Sequence, residues 1–380
     1  MRRAGALLWA ALLVLAGCDT ASRDDGAGAA SGAASGLAVL AQRAEGFAQA
    51  RPGVPLEFPR DHGAHPDYRI EWWYLTANLE DADGRPYGAQ WTLFRFAVQP
   101  PGTWNAETGW QSEQVYMAHM ALTLPDRHLA FQRYARGGDH DGIRQAGATA
   151  RPFAAWLDDW RLASTGPGWL PLEVRARQGD HALRLRLEGE QQVVLQGDSG
   201  FSQKHPQGGG SWYYSQPFLR AAGELVVDGV TVPVTGQAWL DREWSSQFLQ
   251  PDQAGWDWFA LHLDSGEKLM LFQLRDRSGG EPFRHGVLIA PDGSKRLLRP
   301  AEIGLEVAKT TEVANRRLPL HWRIDLPAIG RRLDVRALHP DQWLDLDYPY
   351  WEGVVTAEGE GPGNRGRGYM ELTGYPPSSP

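Results

Sequence analysis

Glycine and proline interrupt this chain so often that no long helix can form in it. There are 44 glycines and 26 prolines, and turn pairs recur at Asp83-Gly84, Asp228-Gly229, Ser265-Gly266 and Asp292-Gly293. Short runs of alternating character lie between them: Leu183, Leu185 and Leu187 alternate with Arg184, Arg186 and Glu188. A period of two bounded by Asp-Gly turns is the signature of antiparallel hairpins. The body of the chain is therefore expected to be all-β and antiparallel.

The amino terminus has a different logic. Arg2 and Arg3 precede the apolar run Ala6–Val14, which is too short to span a bilayer and reads as the core of a signal peptide. The run ends in Leu15-Ala16-Gly17-Cys18, and Cys18 is the only cysteine in the sequence. No disulfide can form within the chain, so stability must come from the core. The tetrapeptide resembles the bacterial lipobox, in which the cysteine thiol takes a diacylglycerol and becomes the new N-terminus. Several acyl chains on one residue make a firm anchor. The expected location is the cell envelope, with the body facing the periplasm or exterior. Asp19 resembles the signal that retains lipoproteins on the inner membrane of enteric bacteria.

The formal charge is −8, and loss of residues 1–17 removes two arginines and no acids, leaving −10. An acidic chain without a basic patch argues against nucleic acid. Residues 19–36 are rich in Ala, Gly and Ser and read as a flexible tether. Residues 37–50 hold Leu37, Leu40, Ala41, Ala44, Phe47 and Ala48 at helical spacing before Pro52, which predicts one short amphipathic helix. The expected plan is a signal peptide over 1–17, a lipidated cysteine, tether and short helix over 18–59, and β domains over 60–246 and 250–376.

Two domains are suggested by an internal repeat. Trp72 to Leu79 followed by Trp91 to Phe96 matches Trp256 to Leu263 followed by Leu269 to Leu274. Tyr213-Tyr214 through Gly236-Gln237-Ala238-Trp239-Leu240 matches Tyr350-Trp351 through Gly368-Tyr369-Met370-Glu371-Leu372. A barrel of eight strands holds one small ligand, and strands this rich in aromatic and aliphatic residues would line a pocket for an apolar or amphipathic molecule.

Other motifs carry little. Gly361 to Gly366 fits G-x-G-x-x-G without a βαβ setting, and Gly197-Asp198-Ser199-Gly200 lacks the partners of a serine protease. His62 and His65, with Asp61 and Asp67, read as solvated loop residues rather than metal ligands. Chemistry concentrates instead at Trp239 to Ser246. On a strand, Trp239, Asp241 and Glu243 share one face, while Leu240, Arg242 and Trp244 share the other. Glu71, beside Trp72-Trp73-Tyr74, and His119 are further candidates. Bland readings stand beside these: a core histidine for His119, and a salt bridge of Arg242 with Asp241 or Glu71.

Glu71-Trp72-Trp73-Tyr74, Gly210-Ser211-Trp212-Tyr213-Tyr214, Gly236 to Trp244 and Gly368 to Tyr375 together resemble the AttH-type, lipocalin-like proteins. That family includes carotenoid 1,2-hydratase and a set of predicted secreted hydrolases. The resemblance, over residues 60–376, implies two lipocalin-like (calycin) barrels and no cofactor. For a hydratase it implies an acid that protonates a carbon–carbon double bond, aromatic faces for the resulting cation, and water that adds to it. Asp241, Glu243 or Asp257 would be the acid, with Arg242 and Trp244 beside them. Glu71, Trp73, Tyr74, His119, Tyr213, Tyr214, Trp239 and Trp258 would surround a hydrophobic ligand. The hydratase pattern carries a histidine where this chain has Arg242, and arginine cannot serve as a general acid near neutral pH. The sequence thus leaves two functions open: an acid catalyst, hydratase or hydrolase, and a non-catalytic carrier beside a transporter.

The anchor has a direct test. Cys18→Ser should move the protein from the membrane fraction to the soluble fraction outside the cytoplasm; a variant that still sediments with membranes would refute lipidation at Cys18.

Overall fold

The structure is a computed structural model, and it describes residues 45–103, 112–138, 144–190 and 192–378. Cys18, the tether and most of the predicted amphipathic helix lie outside those residues. Residues 45–50 form a turn and irregular chain, so the helix does not extend to position 50 as the spacing suggested. Among the described residues the regular structure is strands and three single-turn 3-10 helices. The all-β expectation holds.

The strands form two antiparallel sheets. The first runs from Ile70–Glu80 to Val230–Ser245, and the second from Gln253–Leu263 to Gly366–Leu372. In the first sheet, Ile70–Glu80 sits between Pro86–Ala97 and Val230–Ser245, with Gly210–Val227 next. In the second, Gln253–Leu263 sits between Lys268–Asp276 and Gly366–Leu372, with Tyr350–Gly359 next. The segments matched in sequence therefore occupy matching places. The first sheet curls until Gly137, at the end of His128–Arg136, bridges Ala146, at the start of Ala146–Ala150, which brings its two edges together. The second sheet forms a half-barrel whose path ends at Lys295–Leu298 and Gly304–Val313.

Alternation decides what each central strand touches. In Ile70–Glu80 the odd residues Trp73, Leu75, Ala77 and Leu79 enter the core of the first sheet. The even residue Tyr74 enters a different core, shared with Trp258, Met270, Phe272 and Tyr369 of the second sheet. The two sheets thus pack with their convex faces together. Gly88 permits that approach: a Cβ there would lie 2.4 Å from both the Tyr369 hydroxyl and a Val354 methyl.

Both barrel interiors are filled, contrary to the expectation of a ligand cavity inside a barrel. Trp73, Trp91, Trp160, Leu93 and Leu185 pack the first, and Phe259, Trp322 and Trp351 the second. Close-packed aromatics leave no room for a ligand there.

One end of the first barrel is closed by charge. Glu71 is fully buried between Arg95 and Arg242; the Arg242–Glu71 distance is 3.0 Å. His65 bridges Glu71 at 3.1 Å and Asp61 at 3.3 Å, and stacks on Trp244 with ring centroids 3.8 Å apart. The Arg242 guanidinium lies 3.9 Å from the Trp73 ring and donates to the carbonyls of Gly63 and Trp72. Burial alone would raise the Glu71 carboxyl; Arg95, His65 and Arg242 outweigh it and hold the group far below the usual carboxylate range. Its contribution to stability is present above the unfolded-state pKa and is lost as pH falls. Glu71→Gln should cost about 3–5 kcal/mol, because it strands two buried arginines. Urea denaturation at neutral pH measures this, and a loss under about 1 kcal/mol would mean that the network is not a structural element.

Candidate functional site

The even-numbered residues of Ile70–Glu80 and the odd-numbered residues of Val230–Ser245 meet the second sheet across a cavity of about 360 Å³. Its walls are aromatic: Trp72, Phe94, Phe248, Trp256, Trp258 and Phe272 among others. Asp241, Glu243, Glu352, Glu371 and the exposed Asp347 line the same space, together with a single lysine, Lys204. The ligand space left open by the sequence is thus the groove between the sheets.

Strand register places each acid. Asp241 stands opposite Tyr74 and Ser215, and Glu243 opposite Trp72 and Tyr213. On the other sheet, Glu371 stands opposite Trp258 and Glu352. Directly opposed residues share a face with Cβ atoms about 5 Å apart. The sheets therefore present facing rows, each an aromatic residue beside an acid: Tyr74 with Asp241, and Trp258 with Glu371.

The four acids other than Asp347 differ in their partners. Asp241 accepts from the Tyr213 hydroxyl at 2.6 Å, the Trp239 indole at 2.7 Å and the Ser215 hydroxyl. Burial dominates nonetheless; the donors only partly offset it, the charge of Glu243 adds to it, and the Asp241 pKa is pushed up to about 7. Glu243 pairs with Lys204 at 2.7 Å and accepts from Ser211. Burial outweighs these partners too, and its pKa lies above the usual range. Glu352 accepts from the Tyr74 hydroxyl at 2.5 Å through Oε1, while Oε2 has no partner. Glu352 and Glu371 are both pushed up by burial; Glu371 raises Glu352 further, and Glu243 and Asp241 raise Glu371. Carboxyl groups held protonated at neutral pH beside aromatic rings can donate protons to an apolar ligand.

The predicted residues divide along the alternation. Asp241, Glu243, Tyr74, Tyr213 and Trp258 line the cavity. Trp239 is buried behind it and orients Asp241. Arg242, Trp244, Glu71, Trp73 and Tyr214 do not: they point to the other side of the sheet and form or flank the buried ion network. Of the two salt bridges considered for Arg242, the one with Glu71 is found. Asp257 faces away as well, bound to Arg275, to Gln273 at 2.8 Å and to Tyr375 at 2.9 Å. His119 is a core histidine, with Nδ1 2.9 Å from the hydroxyl of Tyr350, which does line the cavity. Burial lowers its pKa to about 3. His62 is not solvated: it is fully buried and stacks on Trp169 at 3.5 Å, while His65 is partly buried in the Glu71 network. Among the described residues, no three His, Cys, Asp or Glu side chains form a metal-binding group.

Sequence reasoning missed Glu352, Glu371 and Lys204. The repeat contained the signal for Glu371. Aligning Gly236–Leu240 with Gly368–Leu372 set Trp239 against Glu371, whereas the ladders pair Tyr74 with Asp241 and Trp258 with Glu371. The two copies are offset by two residues, and Glu371 is the structural counterpart of Asp241.

Known proteins share this architecture. A crystal structure of a Nitrosomonas europaea protein classed as AttH is 37% identical, covers 87% of this chain and 100% of its own, and superposes with a TM-score of 0.76. Kievitone hydratase from Nectria haematococca is 15% identical over 87% of this chain and 97% of its own, with a TM-score of 0.61. CghA with Sch210972 is 12% identical over 89% and 99%, with a TM-score of 0.51. At 15% and 12% identity these last two likenesses speak for the fold alone. No curated protein matches the sequence. The AttH-like family profile covers residues 49–375, nearly the whole of the described chain, and so the protein belongs to the AttH-like family.

Proposed function

We propose that this protein is an exported lipoprotein, tethered through Cys18, that hydrates a carbon–carbon double bond in a hydrophobic, isoprenoid- or lipid-like molecule held between its two sheets. One observation carries this reading: carboxyl groups that burial keeps protonated line an aromatic cavity between the sheets. Residues 19–36, whose composition reads as a flexible tether, would keep the cavity near a bilayer where such ligands concentrate. Family membership agrees with it, as does the fold shared with a hydratase.

The step balances simply. A protonated carboxyl, Asp241 or Glu371, gives its proton to the terminal carbon, so a C–H bond forms as the π bond breaks. The tertiary carbocation lies against the faces of Tyr74 and Trp258. Water adds through oxygen, and the carboxylate recovers a proton from it. No redox partner or cofactor is consumed. A non-catalytic carrier is the second reading, favoured by the predominance of apolar wall in the cavity.

Incubation of the mature protein with terminally unsaturated isoprenoids, followed by mass spectrometry, separates the two. A mass gain of one water supports the hydratase, and a bound ligand returned unchanged supports the carrier. Asp241→Asn and Glu371→Gln should each lower turnover at least about a hundredfold, the scale of a lost general acid. Turnover that survives in both would remove these acids from the mechanism. Since the protonated form is the active one, the rate should fall as pH rises through about 7, where Asp241 ionises.

Stability gives an independent reading. A group whose folded pKa is raised adds nothing unfavourable below the unfolded-state value, and costs stability increasingly as pH rises toward its folded pKa. Glu371→Gln should therefore raise Tm by several degrees at pH 9 and leave it nearly unchanged at pH 4.5. Equal shifts at both pH values would show that Glu371 is not held protonated.

A further inference from the structure

Buried carboxyls elsewhere in this protein have a counter-charge or a full set of donors. Glu71 has Arg95 and Arg242, Asp61 has Arg60, Glu243 has Lys204, and Asp257 has Arg275. Asp241 has three donors. Glu352 has the Tyr74 and Tyr350 hydroxyls beside it and Glu371 has Trp256, but neither has a counter-charge. They stand directly opposite each other on adjacent strands, and no lysine or arginine among the described residues pairs with either. Two carboxylates directly opposed in a ladder repel, and burial sharpens the cost, so the pair on its own stays protonated; an arriving cation would offset that cost and release a proton from it. The Glu352 side chain is 1% exposed, lines the cavity, and leaves Oε2 without a partner.

The cavity already holds one cation in the way it would hold another. The Lys204 ammonium pairs with Glu243 and lies 4.3 Å from the Phe272 ring centroid, 5.1 Å from Phe248 and 5.2 Å from Tyr213. The Glu352–Glu371 pair also lies beside aromatic rings, without an ammonium. Tyr74 and Trp258 stand beside it, their rings 5.4 Å apart and edge to face. Carboxyl groups together with aromatic faces, in an apolar space of about 360 Å³, are the recognition chemistry of an organic cation on an apolar body.

We infer that the Glu352–Glu371 pair is a binding site for an apolar organic cation, a substituted ammonium on a hydrocarbon body, seated against Tyr74 and Trp258. The inference rests on the cavity being the ligand site proposed above. It deepens that reading, because the carbocation formed by protonating a double bond has the same charge and the same apolar body. A stable ammonium would imitate that cation, and mimics of a reaction's high-energy species bind far more tightly than its neutral reactants.

The test uses the mature chain with Cys18→Ser and three probes of one length below micellar concentration: decyltrimethylammonium, decan-1-ol and decanoate. Tryptophan fluorescence follows binding. The ammonium should bind at least about tenfold more tightly than the alcohol, and decanoate should not bind measurably. Glu352→Gln and Glu371→Gln should each weaken ammonium binding about tenfold while leaving decan-1-ol within about twofold, with circular dichroism confirming that both variants are folded. Equal binding of ammonium and alcohol, unchanged affinity in both variants, or no binding of the ammonium would overturn the inference. Displacement of the ammonium by Mg²⁺, Ca²⁺ or Zn²⁺ would overturn it too, by making the pair an inorganic cation site. Hydration turnover with equal binding of ammonium and alcohol sinks this inference and leaves the hydratase standing. Ammonium binding without turnover does the reverse.

Discussion

The convex faces of two antiparallel sheets are pressed together, and everything notable about this protein follows from that contact. A strand in the middle of each sheet has two cores to serve. Alternate residues of Ile70–Glu80 fill the first barrel, and those between them fill the junction. No face of such a strand is free to meet water, which is why Trp72-Trp73-Tyr74 can run as three consecutive large aromatics. Junction residues that are polar must then find partners within the protein, and Asp241 does so with Tyr213, Ser215 and Trp239.

The two sides of Val230–Ser245 show how the same residue types acquire opposite characters. Arg242 and Glu71, on the barrel side, neutralise each other and are wrapped by His65, Trp73 and Trp244. Burial there locks a carboxylate in its charged form. One residue away on the cavity side, Asp241 and Glu243 meet fewer cations, and burial favours the protonated form. The first arrangement favours stability and the second favours chemistry, with a raised pKa that costs stability at high pH. A period of two is enough to separate them.

Lys204 and Phe248 reach the junction from outside the ladders. Lys204 follows Phe201–Gln203, and Phe248 belongs to the segment connecting the two sheets. The Gln253 side chain donates to the Lys204 carbonyl at 2.8 Å, tying the start of the second sheet to this loop. The cavity therefore has a wall made by the connection between the sheets, so its shape depends on how they are joined.

Much of this was legible in the amino-acid order. Turn pairs and alternation gave the antiparallel strands, the duplicated hairpins gave two similar sheets, and the spacing of Trp239 to Trp244 separated Asp241 and Glu243 from Arg242 and Trp244. These are local properties, carried by backbone geometry over a few residues. Glu352, Glu371 and Lys204 were not legible as a site, because each lies far in sequence from Asp241 and becomes its neighbour only when the sheets pack. The same packing turned the expected ligand site inside out. Local pattern fixes which residues leave a strand on the same side; it does not tell which side meets a second sheet, since a filled barrel and a ligand-binding barrel can share one alternation. That choice belongs to tertiary structure, where large side chains such as Trp73, Trp91 and Trp322 fill the interiors and leave the cavity to the junction.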